Sequence, residues 1–481
     1  MKKHNFWSSP FTGSRIKTQE VHLPEMLFGY LIGPFGALLS SGIFTSFLNK
    51  YLTDVLHLGT GFLSGLQIVS TIFIVAANLI VGQLIERTRC LAGKARPWVL
   101  LSALTLSVSS VLMFIVPFQS EAAKMVWIAI AYNLYYAVAY PIYNTANSTL
   151  VPVSTRDSNK RGALASFTNV AGLGVMGVGS MIFPILVSQV MKENQTAWFT
   201  VMLAVAVFSA LTIYLQFLFT RERVTEETMD SVRESEPKTA SLGAQLKAVT
   251  SETWWWIIIV FYLVFQWAGA MKNGSMSYFC QWVVGATGTI DWGFAQTILS
   301  VAGAIPMAVA AVFVVPLANR FGKRIVVFAG MLVGAAGGVI AGLFSGNFLL
   351  VTIGIALKCL GSAPACYLIL AMLADVIDHI EFQSGIRTDG LTMSIYSSLM
   401  VAATPIMNAV FMGMLGAADY VAPAEGAAGA LVQSAGVQST ITVSYIWVET
   451  AAYAVCALLI FLFTVEKNLP EEQKAIAERK K

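Results

Sequence analysis

Lys358 stands near the middle of an apolar run from Phe348 to Leu373. At ~1.5 Å per residue a helix would carry it about 15 Å from the start of that run. A cation at mid-depth in hydrocarbon costs about 3 kcal/mol or more, so such a lysine marks a partner or a use. Its ammonium can bind a carboxylate, sulfonate or phosphate, or pair with an internal acid. Its stem can also carry the head toward water, along a long path. Lys272 is a second cation of this kind, in Gln266-Trp267-Ala-Gly-Ala-Met-Lys272-Asn273-Gly274. It sits just outward of the middle of its run, so substrate contact and outward reach to water both stay open. Glu449 is the one acid well inside an apolar run; it reads first as a structural partner to a polar group, second as a proton carrier. With no acid assigned to them, the two lysines read as an uncompensated positive site that an anion would neutralise.

A polar stripe supplies different chemistry. Steps of three, four and seven place Asn133, Tyr136, Tyr140, Asn144 and Asn147 on one helix face. Sugars present flat C–H faces and paired hydroxyls, which aromatic rings and amides match. Amide bonds between packed helices would use the same residues. Gln67, Asn78 and Asn169 are further amide candidates.

These side chains need spans to hold them. Of 481 residues, 56% are hydrophobic and 12% charged, against roughly 25% charged in soluble domains. Mean hydropathy is +0.70. Such a chain belongs in a bilayer. Twelve apolar runs are long enough to cross it as helices, at about 25–49, 61–85, 98–118, 125–150, 162–189, 198–219, 254–281, 293–317, 325–345, 348–373, 390–416 and 441–464. Residues 1–22 lack the apolar core of a signal peptide, so the first span is expected to serve for targeting. All but five of the 30 Lys and Arg fall on the side of the termini; the others are Lys50, Lys124 and Lys192 in opposite loops, and Lys272 and Lys358 in spans. The positive-inside rule then puts both termini in the cytoplasm, and Trp254-Trp255-Trp256 in the inner aromatic belt. The charged stretch 221–252 reads as a linker between six-helix bundles at 1–220 and 253–481, the latter with a cytoplasmic tail. Basic residues form no single patch, which excludes a nucleic-acid partner. Five scattered cysteines show no metal-ligand spacing, and no nucleophile motif or nucleotide loop occurs, so neither a cofactor nor enzymatic activity is expected.

Two loops repeat. After span two, Gly82-Gln-Leu-Ile-Glu86-Arg87 precedes Gly93-Lys94; after span eight comes Pro316-Leu-Ala-Asn319-Arg320-Phe-Gly322-Lys323-Arg324. Both resemble the Gly-x-x-x-Asp-Arg-x-Gly-Arg-Lys loop of the major facilitator superfamily. The first has Glu for Asp and an insertion, the second Asn for Asp. An acid near a helix end beside arginines can latch helices, which makes Glu86, Arg87 and Arg320 latch candidates. Positive-inside charge alone would also place arginines there. The resemblance implies two six-helix halves around a central site.

A second resemblance is narrower. Ala374-Asp375-Val-Ile-Asp378-His379-Ile-Glu381, then Gly385-Ile-Arg387-Thr-Asp389-Gly390, is similar to the loop between helices ten and eleven of the glycoside–pentoside–hexuronide cation symporters, the melibiose permease family. Tyr51-Leu-Thr53-Asp54-Val55 and Gly93-Lys94-Ala-Arg96-Pro97-Trp98 also resemble that family, at matching loop positions. The family implies uptake of a sugar or glycoside with a cation. Helices seven and ten line its cavity, which would bring Gln266, Trp267, Lys272, Asn273 and Lys358 toward substrate. Helix twelve lies at its periphery. Its cation site uses carboxylates of helices one, two and four; here those positions hold Leu38, Ile74, Asn78 and Asn144, and its helix-eleven lysine position holds Val401. No sodium site of that kind is therefore expected, and a coupling proton is the alternative. Asp375, Asp378, Glu381, Arg387 and Asp389 are candidates for an inner gate paired with basic residues such as Arg156 and Arg161, or simply a solvated charged loop.

The expectation is an all-α membrane protein with twelve transmembrane helices in two bundles, monomeric, in the cell membrane. It would carry a glycoside with an acidic group, of uronide or sulfosugar type, by alternating access. The alternatives are an uncoupled facilitator or exchanger of a neutral glycoside, and a lysolipid carrier on the same fold.

Overall fold

Backbone groups in hydrocarbon have no water to bond, so an apolar run must satisfy them within a helix. The computed structural model describes residues 13–479 apart from 89, 231–241, 289, 387, 424–431 and 468, and no strand occurs among them. The long helices are α1 (Glu25–Val55), α2 (Thr60–Arg87), α3 (Arg96–Leu112), α4 (Glu121–Ser154), α5 (Lys160–Met191) and α6 (Gln195–Leu218). Two short helices follow, α7 (Arg223–Asp230) and α8 (Leu242–Thr250). Then come α9 (Thr253–Val284), α10 (Trp292–Phe321), α11 (Lys323–Leu343), α12 (Phe348–Ser384), α13 (Asp389–Ala417), α14 (Ala435–Leu462) and the short α15 (Leu469–Arg479). Eleven are long and apolar enough to span a membrane; α3 is the shorter twelfth. It stops at Leu112, short of the expected 118; Pro117 bars the helix from running unbroken to that end. The chain divides into two compact units, Met1–Ser235 with Ala422–Gly426 and Glu236–Val421 with Ala427–Lys481.

One device fixes an end of each unit. In the first, Glu222 lies just after α6 and accepts backbone N–H bonds from Lys94, Ala95 and Arg96 at 2.7–2.8 Å. In the second, Glu466 lies just after α14 and accepts from Lys323 and Arg324 at 2.8 and 3.1 Å. Each carboxylate thus meets the positive end of a helix dipole, at α3 and at α11. Gly93 (φ 111°) and Gly322 (φ 88°) supply the left-handed backbone beside them. Arg96 donates to the Phe217 carbonyl at 2.9 Å and lies over the Phe217 ring; Arg324 does the same at the Phe461 carbonyl and ring. This corrects the latch expected at Glu86, Arg87 and Arg320. Those three are exposed and have no ion-pair partner among the described residues. The acid comes instead from the far end of the bundle, out of reach of a local motif.

The charged stretch after α6 begins as part of the first unit. Glu25, fully buried, is clasped by both terminal nitrogens of Arg223 at 3.0 and 2.8 Å. Arg223 also donates to the carbonyls of Thr18, Glu20 and Ser154, so it ties the segment before α1 to the end of α4. Lys50 and Asp54 form a second buried pair at 2.8 Å, inside α1 and not in a loop. The tryptophan run is only partly a belt: Trp256 is exposed, whereas Trp255 is buried and donates to Thr392.

Removing one partner of a buried ion pair strands the other charge. Arg223→Met should therefore lower the unfolding free energy by ~3–5 kcal/mol, while Arg87→Met on the exposed end of α2 stays within ~0.5 kcal/mol. Denaturation midpoints of the detergent-solubilised protein would check this, and equal shifts would reject it.

Candidate functional site

Close helix contact in lipid needs small residues, and α11 has glycine at 330, 334, 338 and 342 with one more at 337. A Cβ at Gly337 would stand 2.6 Å from the Gly354 carbonyl of α12, and one at Gly334 would stand 2.7 Å from the Tyr453 ring of α14. Thus α11 lies wedged against both neighbours, which sets Lys358 of α12 facing Glu449 of α14. In α14 a wide π turn over Val443–Trp447 frees carbonyls, and Lys358 Nζ points at those of Tyr445 and Ile446, 3.4 and 3.2 Å away. Its third neighbour is Glu449 Oε2 at 2.7 Å. On the other side α9 brings Lys272 Nζ to 3.2 Å from Glu449 Oε1, which also accepts from Tyr453 Oη at 2.9 Å.

One carboxylate therefore sits between two ammoniums. This overturns the expectation of two lysines with no acid, and it gives Glu449 the structural partner role in a form the linear order hides. The side chains of Lys358 and Glu449 are 1% and 3% exposed, but Lys272 is 21% exposed. The three formal charges leave one positive charge over, and Lys272 is the member that is partly exposed. Lys358 is nearly sealed and faces three acceptors of α14, the carbonyls of Tyr445 and Ile446 and the Glu449 carboxylate. Earlier on the same helix as Lys272, Gln266 donates to Tyr262, whose ring stacks on Tyr396 with centroids 4.0 Å apart. Trp267 buries an indole N–H without a partner, and Asn273 is half-buried.

The amide and tyrosine stripe is dispersed. A π turn at Leu134–Ala139 adds about one residue to the helical register, so residues before and after it no longer share a face. Tyr136 packs on Tyr132, Tyr135 and Phe44, and Tyr140 lies near Tyr135. Asn147 is buried and bonded to Gln216, which holds Tyr143 as well. Asn133 and Asn78 donate to carbonyls one turn back on their own helices. Gln67 is buried against Asn49. Tyr140 and Asn144 keep half-buried side chains, and Asn169 is exposed. At the former cation positions Ile74 is buried and Leu38 half-buried, with no carboxylate beside either in sequence.

The proposed gate acids also have partners within their own unit. Asp375 is held by Lys323 at 2.6 Å, Asp378 accepts from Gln473, and His379 meets Glu472 at 2.8 Å, docking α15 on the end of α12. Glu381 is buried. Arg387 and the side chain of Asp389 lie outside the described residues. No group of three metal-ligating side chains occurs among the described residues.

The sequence matches the family described as MFS/sugar transport protein over residues 29–467. It is 28% identical to the isoprimeverose transporter of Lactiplantibacillus pentosus, covering 98% of this chain and 95% of that one. It is 24% identical to the uncharacterized symporter YjmB of Bacillus subtilis strain 168, covering 85% and 86%. Among solved structures, the nucleoside transporter NupG superposes with a TM-score of 0.64 over 92% of this chain and all of that one, at 12% identity, which establishes a shared fold.

The shared carboxylate sets an order of costs. Glu449→Gln leaves a buried and a partly exposed ammonium facing each other without their carboxylate and should destabilise by ~3–5 kcal/mol. Lys358→Met leaves the Lys272–Glu449 pair intact and should cost less, and adding it to Glu449→Gln should recover part of the loss. Thermal unfolding of the single and double variants would test this; additive losses would show that the three groups do not act as one cluster.

Proposed function

The chain belongs to the MFS/sugar transport protein family, and from that premise we propose that it carries a glycoside with an acidic group, which binds at Lys272. It is a multi-pass membrane transporter of sugars or glycosides and not an enzyme. The observation that carries the finer reading is the surplus positive charge of the Lys272–Glu449–Lys358 cluster, whose one partly exposed member is Lys272. A substrate carboxylate or sulfonate there would complete the charge balance, while Trp267 and Asn273 offer an indole N–H and an amide to hydroxyls. Transport proceeds by alternating access of two bundles, with both termini cytoplasmic as the charge bias indicates. The substrate side of the reading thus rests on Lys272, with Lys358 acting through Glu449. A second reading, a neutral glycoside, is favoured by the compensation that Glu449 already provides.

Counterflow in reconstituted vesicles separates the two. Methyl β-D-glucuronide should compete for uptake better than methyl β-D-glucoside. Lys272→Met should weaken the glucuronide about tenfold or more, a loss of ~1.4 kcal/mol or above, and the glucoside much less. Equal weakening of both would favour the neutral reading.

The coupling ion follows from what is missing. Leu38, Ile74, Asn78 and Asn144 offer no anionic ligand to offset the dehydration of sodium, so a sodium gradient at fixed pH should leave uptake unchanged. A sodium-dependent gain in affinity, abolished by Asn78→Ala, would overturn this.

A further inference from the structure

We propose that Tyr396, backed by Tyr262, is a stacking subsite for a flat aromatic aglycone, so that aryl glycosides are the preferred substrates. The inference rests on the acidic-glycoside reading above and deepens it, because it adds a second contact to the one at Lys272. A tyrosine that holds a ligand ring needs its own ring fixed, and this one is fixed from behind. The Tyr262 ring of α9 lies 4.0 Å from it at an interplanar angle of 23°. Tyr262 is 3% exposed, and the Gln266 amide one turn on donates to its hydroxyl at 3.3 Å. One turn before Tyr396 on α13, Thr392 accepts from the Trp255 indole of α9 at 3.3 Å, which pins the two helices in register. Tyr396 itself is half-buried, so the open side of the pair is at Tyr396. An offset aromatic ring gains from such a face beyond the area that it covers.

Cys366 places this face in the same recess as Lys272. It stands at the middle of α12 and is exposed. Its thiol lies within electrostatic reach of Lys272 and Glu449, and also of Tyr396. Groups from α9, α13 and α14 thus surround it, which makes its exposure that of a recess rather than of a lipid-facing side. Spacing then selects the ligand. Tyr262 precedes Lys272 by ten residues, a rise of ~15 Å, of which the backward-leaning lysine stem recovers a part. One pyranose cannot touch both ends. A pyranose with its carboxylate at Lys272 and an aryl group on its glycosidic oxygen can, with the aryl ring laid on Tyr396.

The test is counterflow competition with the full-length protein in reconstituted vesicles. The four probes are the methyl and phenyl β-D-glucuronides and the methyl and phenyl β-D-glucosides. In the unaltered protein each phenyl glycoside should compete about tenfold better than its methyl counterpart. Tyr396→Leu should abolish that gain and leave the methyl glycosides unchanged, while Tyr396→Phe should keep it. No phenyl gain in the unaltered protein overturns the proposal, whether or not the leucine variant folds. So does a gain that survives Tyr396→Leu, or an equal loss for methyl and phenyl probes, which a purely structural tyrosine would give. Glucuronides no better than glucosides, with the Tyr396-dependent gain intact, would instead sink the carboxylate at Lys272 and leave the aglycone subsite standing.

Discussion

A carboxylate without water must be held by cations, and Glu449 is held by two that come from different helices. That single constraint fixes the relation of α9, α12 and α14, because an ammonium displaced by a few ångströms would leave an unpaired charge in hydrocarbon. The glycines of α11 make it attainable. They let α12 and α14 approach the same helix closely enough for Lys358 to reach both the carboxylate and the carbonyls freed by the π turn.

The same rule recurs away from the cluster. Glu25 with Arg223, Lys50 with Asp54, and Lys323 with Asp375 each place a buried or half-buried charge against its opposite. Buried pairs add little net stability over apolar packing, but breaking one is costly, so they select one arrangement of helices over others. Glu222 and Glu466 extend the logic to backbone dipoles. Each unit uses an acid after its last long helix to cap the third, and an arginine there to grip the last helix in return. The repeat of this clasp in two units is the structural trace of an internally repeated transporter.

For transport, the consequence is a division of labour among polar groups. In the first unit several of the amides and tyrosines that look suited to sugars hold helices together, as the Tyr143–Gln216–Asn147 chain and the Gln67–Asn49 pair show. In the second unit the cluster leaves one charge surplus and one member partly exposed. A buried network that is fully satisfied stiffens a protein; one left a charge short of balance can respond to a ligand.

By itself the sequence determined the spans, their number and the pair of lysines, since hydrophobic length and the cost of an intramembrane charge are local properties. Family membership was equally legible, because the loop after span ten and the Gly-Lys segments are contiguous. Glu449 was visible as the lone acid within a span, but its partners lie on helices far away in the chain, and only packing brought them together. The same distance hid Glu222 and Glu466 as caps and moved the latch away from Glu86, Arg87 and Arg320. The face shared by Asn133, Tyr136, Tyr140, Asn144 and Asn147 failed for a different reason: ideal helical periodicity does not foresee a π turn, and one extra residue rotates everything beyond it. Tertiary structure decided which charges meet, because ion pairing depends on distance in space and the chain records only distance along itself.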